Sequence, residues 1–413
     1  MKLRHVFGLF FLAMVLVIAA CRKGEKSPAS GKADLTIWES YNDEEHSVFM
    51  AIVDSFEKKT GLKVKVQRVP FDGMEQKLLT AIATKNVPDL ARVDYAFTAV
   101  LASKNGVEPI DDPSLDPLIG QLSKAALYGN YYNGKLWGLP DQTTCIALFY
   151  NKDLFREAGI SSPPKTWEEF VEVAKKLTNP EKQIWGFAMR NTLWWTFPFF
   201  FTYGAKFLSD DGKRCLLDSP EAIAGFSFKV DLYRKYKVEA GAWQSGAIPP
   251  DAGFRNGKYA MILDGPWSIK SLNELGLNYG VALIPAGPAG SATSIGGTNM
   301  VIPVGAAHKE KAIEFLKFLL SPEMQAYWAN QLGQIPVNTA ALPLIDTTRH
   351  PYLPVFVEQM KYARPRPPVP NYGDFERIFN PQMEAALKGL KTPAEALKEA
   401  TREVNEKLLG AGR

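Results

Sequence analysis

Apolar and polar positions along the chain switch between strand-like and helix-like spacing. Near the start the predicted elements are a strand at 35–38, a helix with apolar positions from Val48 to Phe56 that ends near Gly61, a strand at 63–69, a helix at 71–84 and a strand at 90–93. Strand and helix in strict alternation are typical of an open α/β sheet.

The same alternation continues to the C-terminus. The predicted elements are a strand at 145–150, a helix at 152–158 closed by Gly159, a helix opened by the capping box 166–169, and helices at 309–320 and 393–409. Ser or Thr precedes Pro at 219–220, 321–322 and 392–393, which marks three helix starts. Residues 364–370 (RPRPPVP) are expected to be extended. The pattern therefore predicts an α/β protein throughout.

The first 21 residues (MKLRHVFGLFFLAMVLVIAAC) have the basic start, apolar stretch and small residues of a secretory signal. The apolar stretch 6–20 covers about 22 Å as a helix, which is short of the ~30 Å hydrocarbon core. The run Ile18-Ala19-Ala20-Cys21 resembles a bacterial lipobox, which implies lipidation of Cys21 and a membrane tether. The alternatives are an ordinary signal that contains a cysteine, or a transmembrane anchor. Residues 22–33, polar and rich in small residues, are expected to form a flexible spacer.

Composition excludes several functions. The formal net charge is +4, of which Lys2 and Arg4 belong to the signal, so clustered basic charge for nucleic acid is absent. About 390 mature residues indicate two or three domains. Cys145 and Cys215 are expected to be buried free thiols, with a disulfide as the alternative. No metal-ligand spacing and no phosphate-binding glycine motif occurs, so we expect neither a metal nor a cofactor.

Several ordered strings resemble one protein family. They are 56–66 (FEKKTGLKVKV), 87–93 (VPDLARV), 132–140 (YNGKLWGLP), 149–154 (FYNKDL), 163–170 (PPKTWEEF), 257–267 (GKYAMILDGPW), 287–297 (GPAGSATSIGG) and 315–336 (FLKFLLSPEMQAYWANQLGQIP). Together they resemble the extracellular solute-binding proteins of bacterial carbohydrate ABC importers, of the maltose-binding-protein type (family 1). The resemblance covers nearly the whole mature chain.

That resemblance implies two discontinuous α/β lobes joined by a multi-segment hinge, a type II-like periplasmic-binding-protein fold, with the ligand in the cleft between them. The expected lobes are 34–143 with 298–330, and 147–293 with 336–413, and the chain crosses near 143–147, 294–297 and 331–336. Ligand would favour the closed state because it touches both lobes only there. A monomer that partners with permease subunits is expected.

A sugar site needs flat aromatic platforms and planar polar groups in a concave pocket. Trp194 and Trp195 lie in the densest aromatic run, and two neighbours cannot both face one core if the segment is extended. The family places a stacking aromatic at Trp267, and Trp38 ends the first strand, where open sheets put their ligands. Core packing is the alternative for all four. The other mature tryptophans, assigned to packing, are Trp137, Trp167, Trp185, Trp243 and Trp328.

The polar candidates lie at strand ends and predicted crossings. They are Glu39, Asn42 and Glu44 after the first strand, Asp94 after the third, Gln142 and Thr144 at the first crossing, Gly297 and Thr298 at the second, and Arg366, with Arg364 less favoured. Some of these candidates also have a structural explanation. The acids after the first strand could complement the dipole of the following helix. Gly297 could supply conformational freedom at a hinge, and Arg366 could form a solvated or interlobe ion pair.

These observations predict a lipid-anchored, non-enzymatic binding protein that captures a sugar and passes it to an ABC permease. Two alternatives stay open from the sequence. One is a secreted, lipid-anchored glycoside hydrolase, because paired carboxylates in space are invisible to sequence. The other is a binding protein for a non-sugar polar solute.

Overall fold

The computed structural model describes residues 33–366 and 368–410, so the signal segment, Cys21 and most of the spacer lie outside the described residues. The strands are β1 Leu35–Glu39, β2 Val64–Arg68, β3 Leu90–Asp94, β4 Tyr131–Tyr132, β5 Lys135–Leu136, β6 Leu139–Cys145, β7 Ala147–Asn151, β8 Met261–Asp264, β9 Tyr279–Ala282, β10 Thr293–Val301 and β11 Ala363–Arg364.

The predicted helices are all present, together with others that the pattern did not predict, such as Leu193–Thr202 and Tyr372–Lys388. The helices are α1 Asp43–Thr60, α2 Phe71–Thr84, α3 Phe97–Ser103, α4 Asp116–Ile119, α5 Lys124–Tyr128, α6 Lys152–Glu157, α7 Trp167–Leu177, α8 Leu193–Thr202, α9 Pro220–Arg234, α10 Pro250–Arg255, α11 Ile269–Glu274, α12 Lys309–Leu319, α13 Pro322–Leu332, α14 Leu353–Met360, α15 Tyr372–Lys388 and α16 Pro393–Lys407. Short 3-10 turns occupy Pro113–Leu115, Pro180–Lys182, Pro266–Ser268 and Thr339–Leu344.

The larger sheet has the strand order β11-β10-β3-β1-β2, with β6 also pairing with β10. Strands β2 and β3 flank β1 in parallel, as expected of strands joined through helices. Strand β10 runs antiparallel to both β3 and β6. The carboxyl end of β3 therefore meets the middle of β10, and Asp94 faces Thr298 across the ladder.

A smaller antiparallel sheet has the order β8-β7-β9. The strand predicted at 145–150 is in fact two strands in two sheets, because the chain leaves the ladder with β10 after Cys145 and joins β8 and β9 from Ala147. Ile146, fully buried, occupies the switch between them. Apolar spacing cannot show such a change of partner, since both halves are buried.

The hydrophobic core is divided between two lobes, which confirms the predicted fold class. One lobe is built from residues 35–139 and 300–337, with Phe49, Phe56 and Phe315 in edge-to-face contact. The other is built mainly from 145–292 and 353–404, with Trp167 stacked on Phe199. The exact boundaries and crossing points given above stay predictions.

Local sequence signals explain several helix ends. Gly61 ends α1 in the left-handed conformation at φ 77°, and the hydroxyls of Ser219, Ser321 and Thr392 each accept the N–H three residues later. The capping box predicted at 166–169 is only half formed. Thr166 accepts the Glu169 N–H, but the Glu169 carboxylate accepts the N–H of Lys165 rather than that of Thr166.

Cys145 and Cys215 are buried free thiols in separate core clusters. Burial raises the pKa of both, that of Cys215 to about 12, so neither is a reactive thiolate at neutral pH. Among residues 33–366 and 368–410, no helix combines the length and apolar character needed to cross a bilayer. In that same part of the chain, His, Cys, Asp and Glu form no group of three suited to a metal ion.

Candidate functional site

A cavity of about 370 Å³ lies between the two lobes. We call it the central cavity. The first lobe contributes residues from the carboxyl ends of β1 and β3, and the second contributes α8, the loop after β8 and Arg366, while β6 and β10 form the floor. Its lining residues are Ser40, Asn42, Glu45, Phe71, Arg92, Asp94, Gln142, Thr144, Trp194, Trp195, Trp267, Gly296, Gly297, Thr298 and Arg366.

Three tryptophans form one wall of the central cavity. Trp194 and Trp195 have ring centroids 4.7 Å apart, and each lies 6.2 Å from the ring of Trp267. All three are half-buried. The segment that carries Trp194 and Trp195 begins a helix rather than an extended strand, so both neighbours reach the cavity. The Trp195 ring stands nearly edge-on to the other two, at 80° to Trp194 and 84° to Trp267, so the result is a large, angled and partly exposed aromatic surface.

Glycines allow these rings to approach the backbone. A Cβ on Gly265 would lie 2.1 Å from the indole of Trp267, and one on Gly296 would lie 2.8 Å from the indole of Trp194. Real Cβ contacts are essentially never shorter than 3.0 Å, so any side chain at these positions would displace a ring. The two glycines therefore set the position of the aromatic wall.

A second set of residues supports the tryptophans from behind. The guanidinium of Arg190 lies 4.5 Å from the centre of the Trp195 ring and pairs with Asp251 at 2.8 Å. Lys229, fully buried, donates to Asn191 Oδ1 at 3.0 Å and to Thr196 Oγ1 at 2.6 Å. Burial lowers the pKa of Lys229 to about 7. These bonds hold the first turn of α8.

Gln142 belongs to a buried polar network rather than presenting a free amide. Its Nε2 donates to Glu45 Oε1 at 2.9 Å and to Gln334 Oε1 at 2.6 Å, and its Oε1 accepts from Arg92 Nη2 at 2.6 Å. Gln334 Nε2 also donates to Glu45 Oε1, at 2.8 Å. The network therefore ties the chain at 142, in the strand that leads out of the first lobe, to the chain at 334.

Asp94 and Arg366 form an ion pair across the cleft. Arg366 Nη2 lies 3.0 Å from Asp94 Oδ1 and 3.1 Å from Oδ2, and Arg366 is only 6% exposed. Asp94 Oδ1 also accepts the N–H of Ala96 at 2.8 Å. The pair joins the end of β3 in the first lobe to the segment that leads into α15 in the second. Arg366 Nε, which is buried, has no partner among the described residues.

Strand β10 contributes Gly297 and Thr298. Gly297 has φ +131°, and a Cβ there would lie 2.2 Å from the carbonyl oxygen of Gln142, so glycine is required by both conformation and space. Thr298 is 3% exposed, and its Oγ1 finds no partner in the described part of the chain. Thr144 lies opposite Gly296 in the ladder with β6. Thr298 thus offers an uncommitted hydroxyl at the cavity floor.

Three of the predicted site residues lie elsewhere. In β1 the residues Leu35, Ile37 and Glu39 are buried, so Trp38 faces the other side of the sheet, where Lys77 of α2 lies 4.6 Å from its ring. The Glu39 carboxylate accepts the Tyr41 N–H at 2.6 Å, lies 2.8 Å from His46 Nδ1 and is fully buried. Glu44 lies in the first turn of α1 and does not line the cavity.

The other ten predicted residues all line the central cavity, although Asn42 also caps α1 by accepting the Glu45 N–H at 2.8 Å. The five tryptophans assigned to packing lie in or against the core clusters instead. Sequence reasoning missed Ser40, Glu45, Phe71, Arg92 and Gly296. Arg92 had a usable signal, since it lies two residues before Asp94 and a strand puts both on one face.

Two lobes with an aromatic and polar cavity between them, bridged by an ion pair, define a cleft-type ligand-binding protein. The chain belongs to the bacterial extracellular solute-binding protein family, whose model matches residues 42–326. This membership confirms the family resemblance described above. The matched residues include most of the first lobe and most of the second.

Individual relatives agree with this assignment. The chain is 27% identical to a maltooligosaccharide ABC transporter solute-binding lipoprotein of Streptococcus pneumoniae, over 98% of this chain and 97% of the relative. Among solved structures, an ABC transporter solute-binding protein of Thermotoga lettingae bound with α-D-tagatose has a TM-score of 0.82 at 30% identity, with 90% of this chain and 98% of that chain covered. The maltose-bound MalE3 of T. maritima has a TM-score of 0.81 at 26% identity, covering 91% and 99%.

Proposed function

We propose that this protein captures a sugar in the central cavity and delivers it to an ABC import permease from a lipid-anchored position outside the cytoplasmic membrane. The observation that carries the proposal is the convergence of Trp194, Trp195 and Trp267 on one cavity between two lobes. Sugar rings present C–H faces that stack on such a surface, and hydroxyl rims that need polar partners.

Uncommitted polar groups supply those partners. Thr298 Oγ1 donates and accepts, whereas Trp194 Nε1 and Arg366 Nε only donate, and all three are buried atoms without a partner among the described residues. An unmade hydrogen bond in a buried place costs about 1–3 kcal/mol. A ligand hydroxyl that satisfies these groups therefore gains affinity, and an apolar ligand of the same shape does not.

The relatives support a sugar as the ligand class and an anchored location. The S. pneumoniae relative is named for maltooligosaccharide and as a lipoprotein, and the two solved structures hold tagatose and maltose. Since the relatives are binding proteins, capture without turnover is the proposed activity. Lipidation of Cys21 would keep the loaded protein close to its permease.

One titration series tests the proposal. Purified protein without its signal is mixed with mono-, di- and trisaccharides, and Tm, heat of binding and sugar products are measured. We expect at least one sugar to raise Tm saturably, by mass action, with no product formed. Release of shorter sugars would instead indicate a hydrolase, and no binding across the panel would reject the sugar assignment.

A separate experiment tests the anchor. Replacing Cys21 with Ser in the full chain should move the protein from the membrane fraction to the soluble fraction. Sedimentation with membranes after Cys21→Ser would contradict a lipid anchor at that residue, while leaving the sugar-binding part of the proposal intact.

A further inference from the structure

A second cavity of about 310 Å³ adjoins the central cavity and shares part of its wall. We call it the side chamber. Its own walls come from Asp72 and Glu75 at the start of α2 in the first lobe, and from Tyr372 and Glu376 at the start of α15 in the second. The shared wall residues are Phe71, Asp94, Trp194, Trp195 and Arg366. The two cavities are therefore neighbours, with the Asp94–Arg366 ion pair and the two tryptophans lining both.

The side chamber carries an excess of negative charge. Four carboxylates, on Asp72, Glu75, Asp94 and Glu376, face a single guanidinium among its described wall residues, that of Arg366. Arg366 is already paired with Asp94. None of the other three carboxylates makes a salt bridge with a described residue, so a formal excess of three negative charges is left uncompensated. Charges of one sign so close together repel one another unless a cation or protons intervene.

Burial, with a smaller contribution from that repulsion, raises the pKa of two of these groups. Partial burial, with the charges of Asp94 and Glu376, raises the pKa of Glu75 to about 7, although Glu75 lies at the exposed mouth of the chamber. Burial also raises the pKa of Glu376, against the opposing effect of Arg366. Burial thus disfavours the charged form of both carboxyls, and the charge of Arg366 offsets this only in part. A ligand cation could supply the rest of that counter-charge.

Buried polar atoms without partners provide an independent sign of a ligand. Tyr372 is 5% exposed and lines the chamber, yet its hydroxyl has no hydrogen-bond partner in the described structure. Trp194 Nε1 and Arg366 Nε, in the wall shared with the central cavity, are also unpartnered. The phenol oxygen can accept from an N–H or O–H, whereas the two nitrogens require an oxygen acceptor. The complementary ligand therefore carries a strong donor cation and hydroxyl oxygens together.

We propose that the side chamber binds the ammonium group of an amino sugar whose ring packs in the corner formed by Trp194 and Trp195. The ammonium lies among Glu75, Asp94 and Glu376, and the aromatic rings beside it favour a cation further. A neutral sugar would leave Glu75 and Glu376 without a counter-charge, at a cost in desolvation. The carboxylates belong to both lobes, so a cation between them also links the lobes. This inference rests on the proposed function, because it assumes that the central cavity holds a sugar.

Calorimetric titration tests the inference with amino sugars against their neutral parents. The probes are glucosamine, galactosamine and mannosamine with glucose, galactose and mannose, and the β-1,4-linked glucosamine trimer with cellotriose and with its N-acetylated form. At about 20 mM salt, where screening is weak, we expect at least one amine to bind at least tenfold more tightly than its parent. In the double variant Glu75→Gln, Glu376→Gln the preference should fall below threefold, with the affinity for the neutral parent retained.

Glu384→Gln is the matched control, since Glu384 lies on α15 and pairs with Lys388 at the surface. It should leave the amine preference unchanged. Neutral sugars that bind as tightly as their amines would overturn the inference but leave the proposed function standing. A preference that survives in the double variant would overturn the assignment to this chamber. Failure of every probe, neutral and amino, would reject the amino-sugar inference, and the wider saccharide panel would then decide the proposed function separately.

Discussion

Removing the indole of Trp267 is the sharpest test of the aromatic wall. Trp267 is half-buried, faces both Trp194 and Trp195 at 6.2 Å, and sits on the backbone at Gly265. The change Trp267→Ala takes away one side of the platform without removing any charged group of the cavity. Loss of binding would therefore report on stacking rather than on the ion pair or the buried amides.

The expected magnitude follows from area and dispersion. A sugar face that covers about 60 Å² of the indole gains about 1.5 kcal/mol of apolar burial, and aromatic stacking adds about 0.5–1.5 kcal/mol. The sum of about 2–3 kcal/mol corresponds to a roughly 30- to 150-fold increase in Kd. Trp267→Phe keeps part of the surface and should weaken binding by only about 3- to 10-fold. Kd is measured by isothermal titration with the tightest sugar of the panel.

Trp38→Ala provides the matched control, because Trp38 is also half-buried but lies on the far side of the sheet against Lys77. It should leave Kd unchanged. Thermal unfolding of each variant separates lost binding from lost folding. If Trp267→Ala binds within twofold of the parent protein, or if Trp38→Ala weakens binding as much as Trp267→Ala, then the stacking argument for this wall is refuted.

Three further substitutions test the floor of the central cavity, the predicted hinge at Gly297 and the buried lysine that supports the aromatic wall. Thr298→Val removes a hydroxyl that has no partner among the described residues, so Tm should stay the same. Kd should rise about fivefold, because one lost hydrogen bond to the ligand costs about 1 kcal/mol. An unchanged Kd would exclude Thr298 as a ligand contact. Gly297→Ala places a Cβ at φ +131° and 2.2 Å from a carbonyl oxygen, so urea unfolding should show a loss of about 2–3 kcal/mol in the free energy of unfolding. Gly73→Ala, which meets open space on α2, should not destabilise the protein. Equal effects of the two substitutions would contradict the argument from strain at Gly297. The pKa of Lys229 is lowered to about 7 in the folded protein, so between pH 7 and the ordinary lysine pKa the unfolded chain binds more protons than the folded one. The free energy of unfolding should therefore rise by about 2–3 kcal/mol from pH 7 to 9. Lys229→Met should abolish that rise, and the same pH dependence in both proteins would show that Lys229 does not titrate in this range.

Sequence alternation predicted the elements well because burial of one face sets the spacing of apolar residues. It could not choose between the two faces of β1, where Ile37 and Trp38 are both apolar but point to opposite faces. The side chain of Trp38 points toward α2, and Glu39 takes the inner face because Tyr41, His46 and Arg68 surround its carboxylate. Of these partners, Arg68 lies on the neighbouring strand β2, and the pairing of two strands has no local signature.

The candidate site was predictable where a motif ends a strand and unpredictable where strands pair. Asp94 and Trp267 follow a strand and a turn, which is the place where such sheets bind ligands. The register that sets Thr298 opposite Asp94, however, joins positions that no spacing rule connects. The same holds for Gln142, whose amide is satisfied by Glu45, Gln334 and Arg92 from three other segments.

That satisfied network changes how the cavity achieves specificity. Because Gln142, Glu45 and Arg92 already bind one another, a ligand that competed for them would have to break bonds of 2.6–2.9 Å. Charge-assisted bonds of this kind are the strongest that side chains make. They hold the strand at 142 against the chain at 334, and with it the shape of the cavity floor. Under the proposed function, selection among sugars is then left to the uncommitted groups of the central cavity, namely Thr298 Oγ1, Trp194 Nε1 and Arg366 Nε. These lie on both lobes, so a ligand that satisfies all of them must hold the lobes together.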